Sequence, residues 1–117
     1  MKYFPIFLTG DNINAIIIGG GDVAARKIEL LLKSTDNLTI MSADVNDTVM
    51  RLIKSHHLTW LTHSYKNGFF EDKNLVIAAT DDEAVNKAIS EEATALKILV
   101  NVVDQPDLCT YITPAII

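Results

Sequence analysis

At 117 residues, 49% of them hydrophobic, the chain holds enough apolar surface for one self-supporting core and too little length for several. Ten Lys and Arg against fifteen Asp and Glu leave a net charge of −5, which argues against nucleic acid or an anionic membrane as a partner. The single cysteine, Cys109, excludes an internal disulfide, and no apolar run is long enough for a membrane span or a signal-peptide core, so a cytoplasmic protein is expected.

Short β-rich runs alternate with helical patterns along the chain. NAIIIG at 14–19 reads as a first strand, 23–33 as a helix, LTIMS at 38–42 as a second strand and 47–55 as a second helix. LTWLTHS at 58–64 and LVIAAT at 75–80 read as further strands, 83–96 as a third helix and ILVNVV at 98–103 as another strand, followed by a short run, TYITPAII. Ile16, Ile17 and Ile18, like Leu75, Val76 and Ile77, are apolar at consecutive positions, as strands covered on both sides are. Ala24, Ile28, Leu31 and Leu32 make an apolar stripe on the first helix, away from Arg26, Glu29 and Lys33. This alternation predicts an α/β fold of the Rossmann type: a doubly wound, mostly parallel sheet with helices on both faces. With no repeat or linker in the pattern, one domain over 1–117 is expected.

Three consecutive glycines, Gly19, Gly20 and Gly21, separate the first strand from the first helix. Gly19, Gly21 and Ala24 fit GxGxxA, in which the first glycine permits a tight turn, the second lets backbone approach a pyrophosphate, and the third position must be small for helix–strand packing. The anion would rest on the helix N-terminus, among free N–H groups and the positive end of the dipole. A glycine-rich turn can also serve sterics alone, but this one follows a strand and opens a helix, and dinucleotide binding is the stronger reading.

The same fingerprint calls for an acid at the end of the second strand to hold the adenosine ribose. Asp44 is the candidate, one or two residues late, and it could equally cap the following helix. No Lys or Arg occurs between Leu38 and Met50, so nothing local would meet a 2′-phosphate, and NAD is favoured over NADP. Thr80 ends the LVIAAT run and belongs to the same rim as a cofactor contact, while Asp81 and Asp82 read first as helix caps. His56, His57 and His63 lack a metal-ligand spacing, and Cys109 reads as a small buried hydrophobe, so no metal site is expected. Trp60 and Gly68 to Phe70 read as core and turn packing.

Taken together, YFPIFL, IIIGGGDVAARKIELLL, LVIAATDD and ILVNVVDQPDLCTYITPAII, in that order and spacing, resemble the N-terminal domain of the siroheme synthase and precorrin-2 dehydrogenase family. The resemblance covers nearly the whole chain. It implies NAD-dependent oxidation of precorrin-2 to sirohydrochlorin and, in some members, insertion of ferrous iron. It also implies dinucleotide contacts at Asp22 and Val23 after the glycines and at Ala43 and Asp44 after the second strand, and an aspartate used in the chemistry at Asp104.

Asp104 follows ILVNVV directly, and open parallel sheets bind ligands beyond the carboxyl ends of their strands. Oxidation of a reduced tetrapyrrole needs a hydride acceptor and a base for the departing proton, and Asp104 is the candidate base. The competing reading is a residue that only shapes the DQPD turn. The sequence departs from the family pattern in two places. STDN replaces a glycine between the first helix and second strand, so Asp36 or Asn37 is expected to take the left-handed conformation that closes the helix. The chain ends at TPAII, where complete enzymes of the family continue into a helical region used for homodimerisation and for walling the substrate cleft; that region is also the expected source of the cations a polycarboxylate substrate needs. Two other functions stay open: a non-enzymatic nucleotide-sensing module, and a dehydrogenase for an unrelated small substrate.

Overall fold

The structure, a computed structural model, describes residues 1–113. Five strands, β1 (Ala15–Ile18), β2 (Leu38–Met41), β3 (Thr59–Leu61), β4 (Leu75–Ala78) and β5 (Leu99–Val102), form one sheet in the order β3-β2-β1-β4-β5. Every pairing is parallel, so the expected α/β, Rossmann-type architecture holds. Ile17 is flanked by Ile40 of β2 and Ile77 of β4, which places the isoleucine run at the centre of the sheet.

Three helices cover the two faces: α1 (Asp22–Leu31), α2 (Asp47–His56) and α3 (Glu83–Ala95). Alternate strand residues serve opposite layers, as the period of two requires. Ala15, Ile17, Leu38, Ile40, Leu75 and Ile77 pack with Ala24, Ala25 and Ile28 of α1 and Val49, Leu52 and Ile53 of α2. On the other face Ile16, Ile18, Met41, Val76, Ala78, Val100 and Val102 pack with Ile89 and Ala93 of α3 and with Phe70 from the β3–β4 connection. Central strands buried on both sides favour apolar residues at consecutive positions, which is why β1 and β4 read as unbroken runs and β2 is interrupted only by the buried Thr39.

Some boundaries differ from the sequence reading. β3 is three residues long, at the sheet edge, with Thr59 exposed and Trp60 and Leu61 half-buried; the LTWLTHS pattern overstates it because only one side has a pairing partner. α1 stops at Leu31 through tight turns onto the Leu31 carbonyl, made by the Ser34 and Thr35 N–H groups. Neither Asp36 nor Asn37 is left-handed. That conformation falls instead on His57 after α2 and Lys97 after α3, where Leu58 N–H bonds Ile53 C=O and Ile98 N–H bonds Ala93 C=O.

Thr110 to Thr113 form no strand, and 114–117 of the TYITPAII run lie outside the described residues. The return of the chain still covers the outer edge of β5. Thr110 accepts from Val100 N–H through its hydroxyl and donates its own N–H to Val100 C=O, both at 2.9 Å. The Cys109 thiol accepts from Val102 N–H at 3.1 Å. Side chains thus supply partners that a sixth strand would otherwise provide.

Candidate dinucleotide site

β1 connects through α1 to β2 on one side, while its other neighbour, β4, arrives by way of β3. The connections therefore diverge at β1 and open a crevice at the carboxyl ends of β1 and β4. A cleft of about 860 Å³ lies there, walled by Gly19 to Val23, by Ser42 to Asn46 and by Thr80 to Asp82, with Ser64 and Tyr65 closing one side.

The three glycines have three different jobs. Gly19 has φ +133°, and a Cβ on it would lie 2.3 Å from the Ala79 carbonyl oxygen, so both conformation and the crossing over β4 demand glycine. Gly20 abuts the loop after β2, where a Cβ would lie 2.2 Å from the Asp44 carbonyl oxygen. A Cβ on Gly21 would meet nothing within 4 Å. Only Gly21 owes nothing to contacts within the protein, and the space beside it belongs to the cleft. Ala24, wholly buried, supplies the small residue between helix and sheet.

Helix termini sharpen this picture. Asn46 caps α2 and Asp82 caps α3 through side-chain oxygens that accept from Val49 N–H, and from Ala84 and Val85 N–H. α1 begins at Gly21 with no side-chain cap. Its first-turn N–H groups have no helical partners, and Gly21, Asp22 and Val23 line the cleft, the arrangement that binds a phosphate. The residues present therefore fit a dinucleotide pyrophosphate.

In the loop after β2, Ala43 and Asp44 are exposed and line the cleft. Asp44 does not cap α2, because Asn46 does; the capping alternative is removed and the carboxylate stays free of that duty. Asn46 had no part in the sequence reading, yet it ties three elements together: its backbone N–H donates to Gly20 C=O at 2.8 Å and its amide donates to the Asp22 carboxylate at 3.0 Å. A serine hydroxyl, Ser42 Oγ, closes the loop on Asp44 C=O at 2.6 Å. An Asn two residues beyond the expected acid is the signal that a search for N-caps would have caught.

On the β4 side, Thr80 donates its hydroxyl to Asn86 Oδ1 at 2.6 Å, and the buried Asn86 amide donates back to Thr80 C=O at 3.0 Å. This exchange fixes the rim between β4 and α3. Asp82 is a cap, as its residue type suggests, and Asp81 is exposed at the cleft edge. Tyr65 donates its hydroxyl to Glu92 Oε1 at 2.6 Å, and the other carboxylate oxygen accepts from Gly68 N–H at 2.8 Å. Burial, then the Glu92 carboxylate, holds the Tyr65 phenol well above its ordinary pKa.

Asp104 lies one strand further out. Val102 pairs with Ala78, so Asp104 follows β5 as Thr80 follows β4. It is exposed, has φ +62° and sits in a turn closed by Gln105 N–H on Val102 C=O at 3.2 Å. It is not among the residues lining the cleft. The histidines are scattered: His56 faces Asp36 at 3.5 Å, His57 closes α2, and His63 packs against Phe69 with the rings tilted by 48°. Among the described residues no group of three His, Cys, Asp or Glu could hold a metal ion, and no helix is long and apolar enough to cross a membrane.

Residues 6–115 match the family model NAD_binding_7, which describes NAD(P)-binding domains. The chain belongs to this NAD(P)-binding family. Over its whole length the domain is 44% identical to the siroheme synthase of Pseudoalteromonas atlantica and 40% identical to that of Tolumonas auensis, and covers 25% of each. It is 38% identical to the siroheme synthase of Psychrobacter cryohalolentis and covers 22% of it. The chain thus spans about a quarter of the length of these curated relatives. Among solved structures it resembles SirC, a precorrin-2 dehydrogenase, with a TM-score of 0.82 over 97% of this chain and 55% of that one. At 21% identity that likeness is one of fold.

Proposed function

We propose that this domain is the dinucleotide-binding and hydride-transferring part of a precorrin-2 dehydrogenase, oxidising precorrin-2 to sirohydrochlorin with NAD. The observation that carries the reading is the coincidence of two things. The chain is 44% identical from end to end to a siroheme synthase, and its glycine turn opens on a cleft beside an uncapped helix N-terminus.

In this reading Gly20, Gly21, Asp22 and Val23 offer backbone N–H groups to the pyrophosphate, Gly19, whose own N–H is taken by Met41 C=O, shapes the turn that presents them, and Ala43 and Asp44 meet the adenosine ribose. Thr80, held by Asn86, forms the rim on which the reactive end rests. The nicotinamide supplies the hydride acceptor. Asp104 takes the proton that leaves the macrocycle as the hydride is lost. The charged residues lining the cleft are Asp22, Asp44, Asp81 and Asp82, all acidic. Such a wall suits the ribose hydroxyls and repels both a 2′-phosphate and a polycarboxylate. NAD preference follows from that wall, and the cations for precorrin-2 come from outside these residues.

A second reading has one observation in its favour: Asp104 stands outside the cleft lining in a turn that explains it by itself. On that reading the domain binds and reports a nucleotide without chemistry. Anaerobic incubation with precorrin-2 and NAD, using the domain alone and joined to the C-terminal region of a siroheme synthase, separates the two. Formation of sirohydrochlorin and NADH in step is expected for the joined protein. NAD binding without turnover in both would favour the sensor.

A further inference from the structure

Besides the helical bond that its carbonyl accepts from Met50 N–H, Asn46 makes three hydrogen bonds that tie α2 to the glycine turn and to α1. Its side-chain oxygen accepts from Val49 N–H at 2.9 Å and caps α2, and its backbone N–H donates to Gly20 C=O at 2.8 Å. Its amide nitrogen donates to Asp22 Oδ1 at 3.0 Å. Asp22 is the first residue of α1, exposed, at the uncapped end of that helix.

A carboxylate in a first helical turn is drawn to the same free N–H groups and positive dipole end that a phosphate uses. Left to itself, the Asp22 side chain would compete with the pyrophosphate for those donors, or repel it across a short distance. The Asn46 amide engages that carboxylate from the α2 side. Resting on the dinucleotide reading above, we propose that Asn46 is a positioning residue of the site: it holds the Asp22 carboxylate toward α2 and so leaves the N-terminus of α1 to the pyrophosphate. Asparagine suits both duties, since its oxygen caps while its nitrogen donates. Aspartate and serine cap a helix as well, but aspartate has no proton to give Asp22.

The test is NAD binding by calorimetry on the whole chain, with thermal unfolding in parallel. Asn46→Asp keeps the acceptor for Val49 N–H, loses the donor and sets a second carboxylate against Asp22. It is expected to bind NAD about tenfold more weakly, the usual scale for a hydrogen bond to a charged group. The reciprocal exchange, Asp22→Asn with Asn46→Asp, restores one donor and one acceptor in the opposite sense and leaves the net charge at the wild-type value. It is expected to recover most of the lost affinity, which a residue serving only as a cap would not do. Should Asn46→Asp fail to fold, Asn46→Ser keeps a capping oxygen without adding charge and is expected to weaken binding in the same direction. Wild-type affinity in either single variant, or an exchange no better than Asn46→Asp, overturns the assignment of Asn46 alone. Wild-type protein that binds neither NAD nor NADP overturns the dinucleotide reading itself, and this inference with it.

Discussion

Gly20 and Asp44 meet backbone to backbone: a Cβ on Gly20 would stand 2.2 Å from the Asp44 carbonyl oxygen and 2.9 Å from Val45 Cα. The glycine turn and the loop after β2 are therefore one packed unit, closed further by the Asn46 N–H on Gly20 C=O. Gly20→Ala forces backbone against backbone, where no flexible side chain can yield. A loss of about 1–3 kcal/mol is expected, the range for overpacking a tight site. Urea unfolding at neutral pH measures it, and an unchanged midpoint would show that the two loops separate freely.

Gly21 is the opposite case. Its φ of −99° is open to any residue, and a Cβ there meets nothing in the protein. Gly21→Val should unfold close to the wild type, yet lose dinucleotide affinity by at least about tenfold, or 1.4 kcal/mol, because its methyl groups fill the space beside the α1 N–H groups. Calorimetry with NAD on the folded variant decides this. Normal binding would mean that the pyrophosphate does not approach Gly21.

The contrast between these glycines marks what the sequence could convey. The order of elements was legible, because β1 and β4 are apolar at every position, β2 departs from that only at Thr39, and α1 carries a helical stripe. The GxGxxA spacing located the cleft. It did not assign a role to Gly20, whose neighbour Asp44 is 24 residues away and is brought close only by the parallel pairing of β1 with β2. The bond from Asn46 to Asp22 was hidden for the same reason, since Asp22 lies on another helix, whereas the N-cap at Asn46 is a local signal that the sequence does carry. Helix ends were legible where a capping side chain is local, as at Asp82. They were not where an ordinary residue accepts a left-handed conformation, as His57 and Lys97 do, because the tertiary packing of the next strand imposes it.

The proposed preference for NAD rests on Asp44. With Asn46 capping α2, the Asp44 side chain is exposed beside the cleft, and the domain is expected to bind NAD more tightly than NADP. Asp44→Asn should narrow that preference by relieving repulsion of the 2′-phosphate while keeping a hydrogen-bonding group for the ribose. Titrations of both proteins with both dinucleotides measure the change. Equal affinity of the wild type for NAD and NADP would remove Asp44 from the ribose site.

The Tyr65–Glu92 bond gives the fold a dependence on alkaline pH. Burial and the carboxylate raise the Tyr65 pKa in the folded protein above its ordinary value of 10.0, so the folded state holds this proton more tightly than the unfolded chain does. The stability it contributes is complete below pH 10 and declines as pH rises above it. Tyr65→Phe should cost about 1 kcal/mol at pH 7, and the difference between the two proteins should shrink between pH 10 and pH 11. Tyr111, whose phenol burial also raises, acts alike in both proteins and cancels from the difference. A difference constant from pH 7 to pH 11 would place the Tyr65 proton outside the stability of the fold.

Asp104 carries the chemical claim and has a structural rival. Its φ of +62° is a conformation that Asp and Asn tolerate better than most residues, so Asp104→Asn should keep the turn, the fold and the NAD affinity. Asparagine cannot take a proton. If Asp104 is the base, the variant in a protein with its C-terminal region should lose about 100- to 10,000-fold in NAD-dependent oxidation of precorrin-2, the usual contribution of a positioned base. The distance from the cleft lining makes this a demanding test, because the substrate must reach from the rim at Thr80 across to the end of β5. Asp82→Asn is the control. Asn caps a helix about as well as Asp, so that variant should keep both its stability and its turnover. A loss of only a few-fold at Asp104 would return it to the role of a turn residue, and a dead Asp82→Asn beside an active Asp104→Asn would move the proton acceptor to the end of β4.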